Sequence, residues 1–270
     1  MFKRSIYDFT KTYLDTLGDL TGKTVVDVPA GLGDMSSEFT RRGAKVIALD
    51  LYPEKIKGDV DEKLFVDMNS RFPLKDEVAD IVLCQEGIEH VPNQLNLMEE
   101  LNRVLKPGGK LLITTPSLSH LRARLSMLIV ESEYWKRLPA SEVDSVWFSD
   151  SQNDHIYFGH FFLLTANQLR LLAVLTGFSV NERRRTSLSW TSVLLFLIFY
   201  PFVAFSSAIA CLDSYRKNRQ KWNRNKRGVY LQQVLINVSP VTLLCKDFFW
   251  VLEKTRSVAE CREQLKLNTR

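Results

Sequence analysis

The chain has 270 residues, 45% hydrophobic and 25% charged, which fits one large globular domain, or one domain with an appendage, able to bury a core without disulfides. Its four cysteines, Cys84, Cys211, Cys245 and Cys261, form no disulfide framework and stand at no metal-ligand spacing, and no signal-type apolar run follows Met1. A secreted disulfide scaffold and a zinc module are therefore excluded, no metal is expected, and a reducing cytoplasmic setting is. The net charge of +5 is uneven: residues 1–187 carry 23 Lys/Arg against 26 Asp/Glu, residues 188–212 carry neither, and residues 213–270 carry 13 against 5. Basicity confined to the tail points to an anionic partner, a membrane surface or a nucleic acid.

In chain order, a strand predicted over residues 24–28 runs into a turn of small residues, and a helix over about 35–42 follows, stopped by Gly43. A second strand, 45–49, closes on Asp50, and a short third covers 64–66. A fourth strand, 79–84, is followed by a helix over 94–105, whose Leu97, Leu101, Val104 and Leu105 share one face. Lys106-Pro107-Gly108-Gly109 then predicts a turn before a fifth strand over 110–115. Strands alternating with helices specify an α/β class: a Rossmann-like, mainly parallel, doubly wound sheet with helices on both faces. Further on, residues 121–130 read as a helix and 131–154 as a charged, aromatic insertion. Residues 165–176 read as a helix capped by Thr165 and ended by Gly177, and Phe178-Ser179-Val180 begins a late strand. This divides the chain into a domain over 1–185 and a helical, membrane-associated appendage over 186–270.

The most informative stretch is Val25-Val26-Asp27-Val28-Pro29-Ala30-Gly31-Leu32-Gly33-Asp34. A strand, a small-residue turn and a helix in that order make room for a ligand against the main chain, and Gly31 and Gly33 permit the backbone it needs. Asp50 ends the next strand, where a carboxylate can accept from both hydroxyls of a ribose; this serves a dinucleotide and S-adenosylmethionine (SAM) equally, and the bland reading is a strand-end cap. Ser36 stands where a dinucleotide fingerprint has its third small residue, and no GxxxxGK[ST] occurs.

These residues, followed by Phe65-Val66-Asp67-Met68-Asn69, then Ala79-Asp80-Ile81-Val82-Leu83-Cys84-Gln85-Glu86-Gly87-Ile88-Glu89-His90, then Leu101-Asn102-Arg103-Val104-Leu105-Lys106-Pro107-Gly108-Gly109 and a strand ending in Thr115-Pro116, resemble the class I SAM-dependent methyltransferases, particularly their type-11-like branch. The resemblance covers residues 20–116 well and 155–185 loosely; Pro29 departs from it, since a glycine is usual there. It implies SAM as cofactor, bound by Asp27, Gly31, Gly33, Asp50, Asp67, Met68 and Gln85: the glycines beside the methionine moiety, Asp50 at the ribose, Asp67 near the adenine, and Gln85 bordering the methyl-transfer site.

Methyl transfer from a sulfonium is an in-line displacement that needs mainly proximity and orientation, but a hydroxyl acceptor also needs a general base. The candidates are His160, His155 and Glu86. His155 and His160 flank Ile156-Tyr157-Phe158-Gly159, and a similar run of histidine, aromatics and Thr-capped helix occurs in methyltransferases of bacterial glycan and lipid pathways. The bland reading makes both histidines packing or surface residues, and makes His90 a hydrogen bonder at a helix start.

Residues 186–212 are uncharged throughout, long enough for a bilayer, with Trp190 and Tyr200 among them and basic flanks on both sides. A single span would carry the run of Arg216, Lys217, Arg219, Lys221, Arg224, Lys226 and Arg227 across the membrane, against the positive-inside tendency. The expectation is a re-entrant or in-plane segment broken near Pro201, with both ends on the cytoplasmic face and membrane contact through 186–227. Trp222 and Tyr230 beside the basic run allow an RNA or DNA methyltransferase instead, which leaves the apolar segment unexplained. The expected function is a membrane-surface O-methyltransferase of a glycan- or lipid-linked acceptor; the alternatives are a quinone or other small lipid as acceptor, and a non-catalytic SAM-binding module.

Overall fold

In the computed structural model, which describes residues 4–148, 156–218 and 226–269, the alternation of strand and helix holds through the first half of the chain. The capping box of Ser5 and Asp8 starts α1 (Ile6–Leu17), an element the sequence reading passed over. There follow β1 (Thr24–Asp27), α2 (Asp34–Thr40), β2 (Lys45–Asp50), β3 (Glu62–Phe65), β4 (Ala79–Gln85), α3 (Gln94–Val104), β5 (Leu105–Pro116) and α4 (Leu121–Val130). Then come a hairpin of β6 (Val146–Phe148) and β7 (Ile156–Phe158), α5 (Ala166–Leu175), β8 (Phe178–Arg183), α6 (Trp190–Lys217), α7 (Lys226–Asn237), α8 (Pro240–Leu244), β9 (Asp247–Lys254) and α9 (Val258–Thr269).

The main sheet has the order β3-β2-β1-β4-β5-β9-β8, parallel from β3 to β5, with β9 antiparallel to both of its neighbours. Period-two alternation divides the core between the two faces. Val26, Val82, Trp250 and Leu252 join one apolar cluster with α3 and α5; Val25, Ile81, Leu83, Phe249 and Val251 join the other, with Tyr13, Leu14 and Phe39 from α1 and α2.

Three expectations are corrected. The predicted turn at residues 106–109 lies within β5 as an irregularity: Ala79 pairs with Leu105 and Ile81 with Lys110, so the intervening residues bulge out, with Gly108 at φ 74. The sheet also crosses the boundary drawn at 185/186, because β9 sits between β5 and β8. The helical excursion is α6–α8, inserted between two strands of the same sheet. Finally, no break occurs at Pro201, which lies inside the continuous 28-residue α6.

Helix α6 has its faces reversed relative to a soluble helix. Its buried side chains are Ser192 and Ser207. The Ser192 hydroxyl accepts from the backbone N–H of Arg122 in α4 (3.0 Å), and that of Ser207 from Asn237 Nδ2 in α7 (2.7 Å). Leu194, Ile198, Phe202, Phe205 and Ile209, at helical spacing on the other side, are each at least half exposed. An 18-residue window of this helix has a mean hydropathy of 2.3 with only 6% of it buried, and by length and composition it could cross a membrane. Helix α7 packs back on the domain: Arg170 Nε donates to Gln232 Oε1 and Arg124 Nη2 to Asn237 Oδ1. Of the basic run, Arg219, Lys221 and Arg224 lie outside the described residues, as does Trp222.

Strand β9 carries Trp250, 2% exposed and packed between the sheet and α5. Trp250→Ala should lower the unfolding free energy by about 3–5 kcal/mol, read by denaturant titration. A chain ended after Arg185 lacks β9 altogether and should show no cooperative unfolding transition.

Candidate active site

Two cavities open along the C-terminal ends of β1, β2 and β4, where open α/β sheets bind ligands. The first is walled by Asp50, Tyr52, Asp67, Met68 and Asn69 on one side and by His90, Trp147, Tyr157 and Phe158 on the other. The second is lined by Asp27, Ala30, Gly31, Asp34, Gln85 and by Tyr7 of α1. Pro29 and Glu86 border both, so these two residues stand where the cavities meet.

The predicted cofactor residues converge here with one exception. Asp50 Oδ2 accepts from Gly31 N (2.8 Å) and its Oδ1 from Tyr52 N (2.9 Å), which ties the small-residue turn to the end of β2. Gly31 has φ 56 and nothing within 4 Å of where a Cβ would stand, so its missing side chain leaves open space. Gly33 differs: a Cβ there would meet Ile56 Cγ2 at 2.8 Å and Gly58 N at 2.9 Å. Its smallness serves packing against the 56–58 loop, not the cavity. Asp27 is buried beneath the turn and accepts from the Ser36 hydroxyl (2.6 Å). Gln85 Oε1 is buried without a partner in the cavity wall. Asp67 Oδ1 accepts from Asn69 N and Nδ2.

Among the base candidates, Glu86 is the one at the junction. Its φ of 50 is a left-handed value that costs a non-glycine residue energy and persists where surrounding structure enforces it. The enforcing contacts come from Thr114: Glu86 N donates to Thr114 O (3.1 Å), and Thr114 Oγ1 donates to Glu86 Oε1 (2.9 Å). Burial, reinforced by the charge of Asp247 at the start of β9, pushes the Glu86 carboxyl up from the usual range; burial and Glu86 itself do the same to Glu89. Glu89 is fully buried, with Oε2 accepting from Thr115 Oγ1 (2.9 Å) and Oε1 without a partner.

His160 does not border either cavity; it stacks edge-on against His90, ring centroids 5.0 Å apart, and it is His90 that lines the first cavity. Burial, His90 and Arg137 lower the pKa of His160. The Nδ1–H of His90 donates to Phe158 O (2.8 Å), leaving Nε2 free of that bond. His155 lies outside the described residues. Ligand atoms of Glu89, His90 and His160 fall within 4.8 Å of one another, a donor set that could hold one metal ion although no sequence spacing announced it. Within the insertion, β6 pairs with β7, and Trp147 stacks on Tyr157 at 6.1 Å in the wall of the first cavity.

Sequence reasoning missed Tyr7, because α1 was not predicted, and Gly87. A Cβ on Gly87 would collide with the ring of Pro29. The signal was present: the proline that departs from the expected turn faces the glycine that makes room for it.

A family model described as a methyltransferase domain matches residues 2–182. The ubiquinone biosynthesis O-methyltransferase of Xanthomonas oryzae pv. oryzae (strain PXO99A) is 35% identical over 136 residues, covering 47% of this chain and 56% of that protein. The protein of the same name from Xylella fastidiosa (strain M23) is 32% identical over 136 residues, covering 47% and 54%. The chain thus spans about half the length of the curated relatives it matches. Among solved structures, an S-adenosylmethionine dependent methyltransferase from Mesorhizobium loti superposes with a TM-score of 0.50 at 10% identity, over 92% of this chain and 98% of that one, a likeness of fold.

Burial raises Asp27 from 3.8 to about 7, opposed by the Ser36 hydroxyl and reinforced by Asp50. A carboxyl whose folded pKa exceeds its unfolded value stabilises the fold fully below the unfolded value, and that contribution is lost as pH rises through about 7. Asp27→Asn removes the titration, so its melting temperature should fall less than that of the wild type as pH is raised across this window, measured by calorimetry.

Proposed function

The chain belongs to the methyltransferase-domain family and is a class I SAM-dependent methyltransferase; from that premise we propose that it O-methylates a phenolic, quinol-type acceptor at the cytoplasmic surface of a membrane. The observation that carries the O-methylation is Glu86: a half-buried carboxylate with raised proton affinity, in an enforced left-handed backbone, at the meeting point of two cavities. A hydroxyl is a poor nucleophile until its proton is taken, and a base whose pKa sits near neutrality takes it best.

The residues fit the cofactor. Open space at Gly31, the partnerless Gln85 oxygen and the strand-end Asp50 form one continuous wall. Asp50 would receive the ribose hydroxyls on its remaining lone pairs and Asp67 and Met68 would border the adenine, while Asp27 accepts from Ser36 beneath the turn. When bound, SAM supplies an electrophilic methyl group on a sulfonium. Glu86 would take the acceptor's hydroxyl proton and leave its oxygen free to receive the methyl group. His90, braced edge-on by His160, orients the acceptor ring beside Trp147 and Tyr157.

The acceptor class rests on the name shared by the two curated relatives, which favours a quinone-type acceptor over the glycan- or lipid-linked one expected from sequence. The membrane reading rests on α6. Ser192 and Ser207 anchor it to the domain at two points 15 residues apart, roughly 22 Å along the axis. A helix held along the domain in this way lies in the membrane plane, since a perpendicular span would drag the domain into hydrocarbon. The nucleic-acid alternative loses support at Tyr230, which lines a cavity between α6 and α7.

The deciding experiment incubates the protein with methyl-labelled SAM and either a membrane-soluble catechol or quinol or a glycan fraction. Label in the phenolic ether supports the reading; label in the glycan fraction alone overturns it. Glu86→Gln should lower kcat by roughly 10²–10⁴-fold while leaving SAM affinity nearly unchanged. Asp50→Ala should weaken SAM binding by about 1.5–3 kcal/mol in calorimetry, since a charged acceptor of hydrogen bonds is lost.

A further inference from the structure

A cleft of about 450 Å³ lies between α1 and the end of β8 and shares no lining residue with the two cavities described above. Arg4, Phe9 and Thr12 form one wall, Arg183, Arg184 and Arg185 the other, with Phe249 of β9 at its base. Four guanidinium groups therefore share one concavity, and no carboxylate is among the residues that line it. Of the four, only Arg184 has an ion pair among the described residues, with Glu182 (2.9 Å). Arg4 donates to Thr12 Oγ1 (2.6 Å) and lies over the Phe9 ring at 4.7 Å. Arg183 Nη1 is buried with no partner, and burial alone lowers its pKa, with no acidic group acting the other way. Like charges gathered and partly desolvated in this way repel, and a bound anion offsets that cost.

The cleft's place in the chain identifies the anion. Arg185 is separated from Trp190, the first residue of α6, by a short segment tied to the start of β9: Lys246 N donates to Ser187 O, and Thr186 Oγ1 donates to Asp247 O. The arginines thus stand at the foot of the helix whose apolar side faces outward, and Trp190 there is 73% exposed. A cationic cleft beside an apolar helix face complements a phosphate beside acyl chains.

We infer that the cleft formed by Arg4, Arg183, Arg184 and Arg185 is a binding site for the phosphate headgroup of an anionic phospholipid, seated at the foot of α6. This rests on the reading of α6 as membrane-facing. The site fixes which edge of the sheet meets the bilayer. The lipid phosphate sits on the arginines while its chains run along Leu194 and Ile198, and the C-terminal strand ends that carry the acceptor site stay at the surface from which a membrane-soluble acceptor arrives.

The test is co-sedimentation of the full chain with vesicles of phosphatidylcholine alone or mixed with phosphatidylglycerol. Arg183→Gln with Arg185→Gln should reduce partitioning onto the anionic vesicles by roughly 25-fold, about fivefold per arginine, and leave partitioning onto neutral vesicles unchanged. Arg185→Gln alone, at an exposed side chain that no fold contact needs, should give about fivefold and guards against a folding failure of the double variant. Phe202→Ser with Phe205→Ser should lower binding to both kinds of vesicle; if wild type ignores vesicles of either composition, the membrane reading of α6 fails and the headgroup site fails with it. Wild-type binding to both kinds with no loss of anionic preference in the arginine variants overturns the headgroup site alone. An equal loss from Arg71→Gln with Lys75→Gln, remote surface cations, would reduce the effect to net charge and overturn the site as well. Calorimetric binding of inorganic phosphate that depends on Arg183 and Arg185, without any vesicle preference, would assign the cleft to a free phosphate and overturn the lipid.

Discussion

Strand β9 runs antiparallel against β5 from Lys110↔Glu253 to Pro116↔Asp247, and the C-terminal edge of the sheet is placed by that pairing. It brings Asp247 near enough to Glu86 and Glu89 to raise the proton affinity of both. It also receives β8 on its other side and, through Thr186 and Ser187, fixes the point from which α6 departs. The strand is buried on both faces, with Trp250 and Leu252 on one side and Phe249 and Val251 on the other. Alternating burial of this kind leaves the register no freedom to slip, because a one-residue shift would exchange the two apolar sets.

Charge at the catalytic edge is arranged by withholding partners. Glu89 is fully buried with one oxygen unpaired, Glu86 is held by a single threonine hydroxyl, and Asp27 by a single serine. Elsewhere the same fold satisfies buried acids completely: Glu38 takes Lys11, Arg41 and Arg42, and these hold its carboxyl down at about 2 despite burial. The contrast separates a carboxylate whose cationic partners favour its charge from those whose burial disfavours it.

The excursion α6–α8 has two unlike sides. Its serines and asparagines meet the domain, while a row of large apolar side chains is turned outward. An apolar stripe of this length exceeds what scattered surface hydrophobics explain and marks a surface that meets something apolar. Pro201 removes one backbone donor inside α6 without breaking it, and its own side chain lies on the exposed side.

The amino-acid sequence by itself determined the parallel half of the sheet, the small-residue turn after β1 and the strand-end Asp50, because period-two runs, small-residue turns and strand-end carboxylates are local signals. It also marked 186–212 as too apolar for a solvated segment. It did not show β9: residues 247–254 fell within the helical appendage expected over 186–270, the neighbours β5 and β8 are separated from the strand by long stretches of chain, and pairing partners leave no local trace. Nor could it choose among the base candidates. His160 and Glu86 are equally reactive in sequence, and only the meeting of two cavities at Glu86, with Asp247 arriving from the far end of the chain, separates them. Gly31 and Gly33 look alike in the motif, yet one opens space and the other closes a packing contact, a distinction that depends on what tertiary structure brings against each Cα.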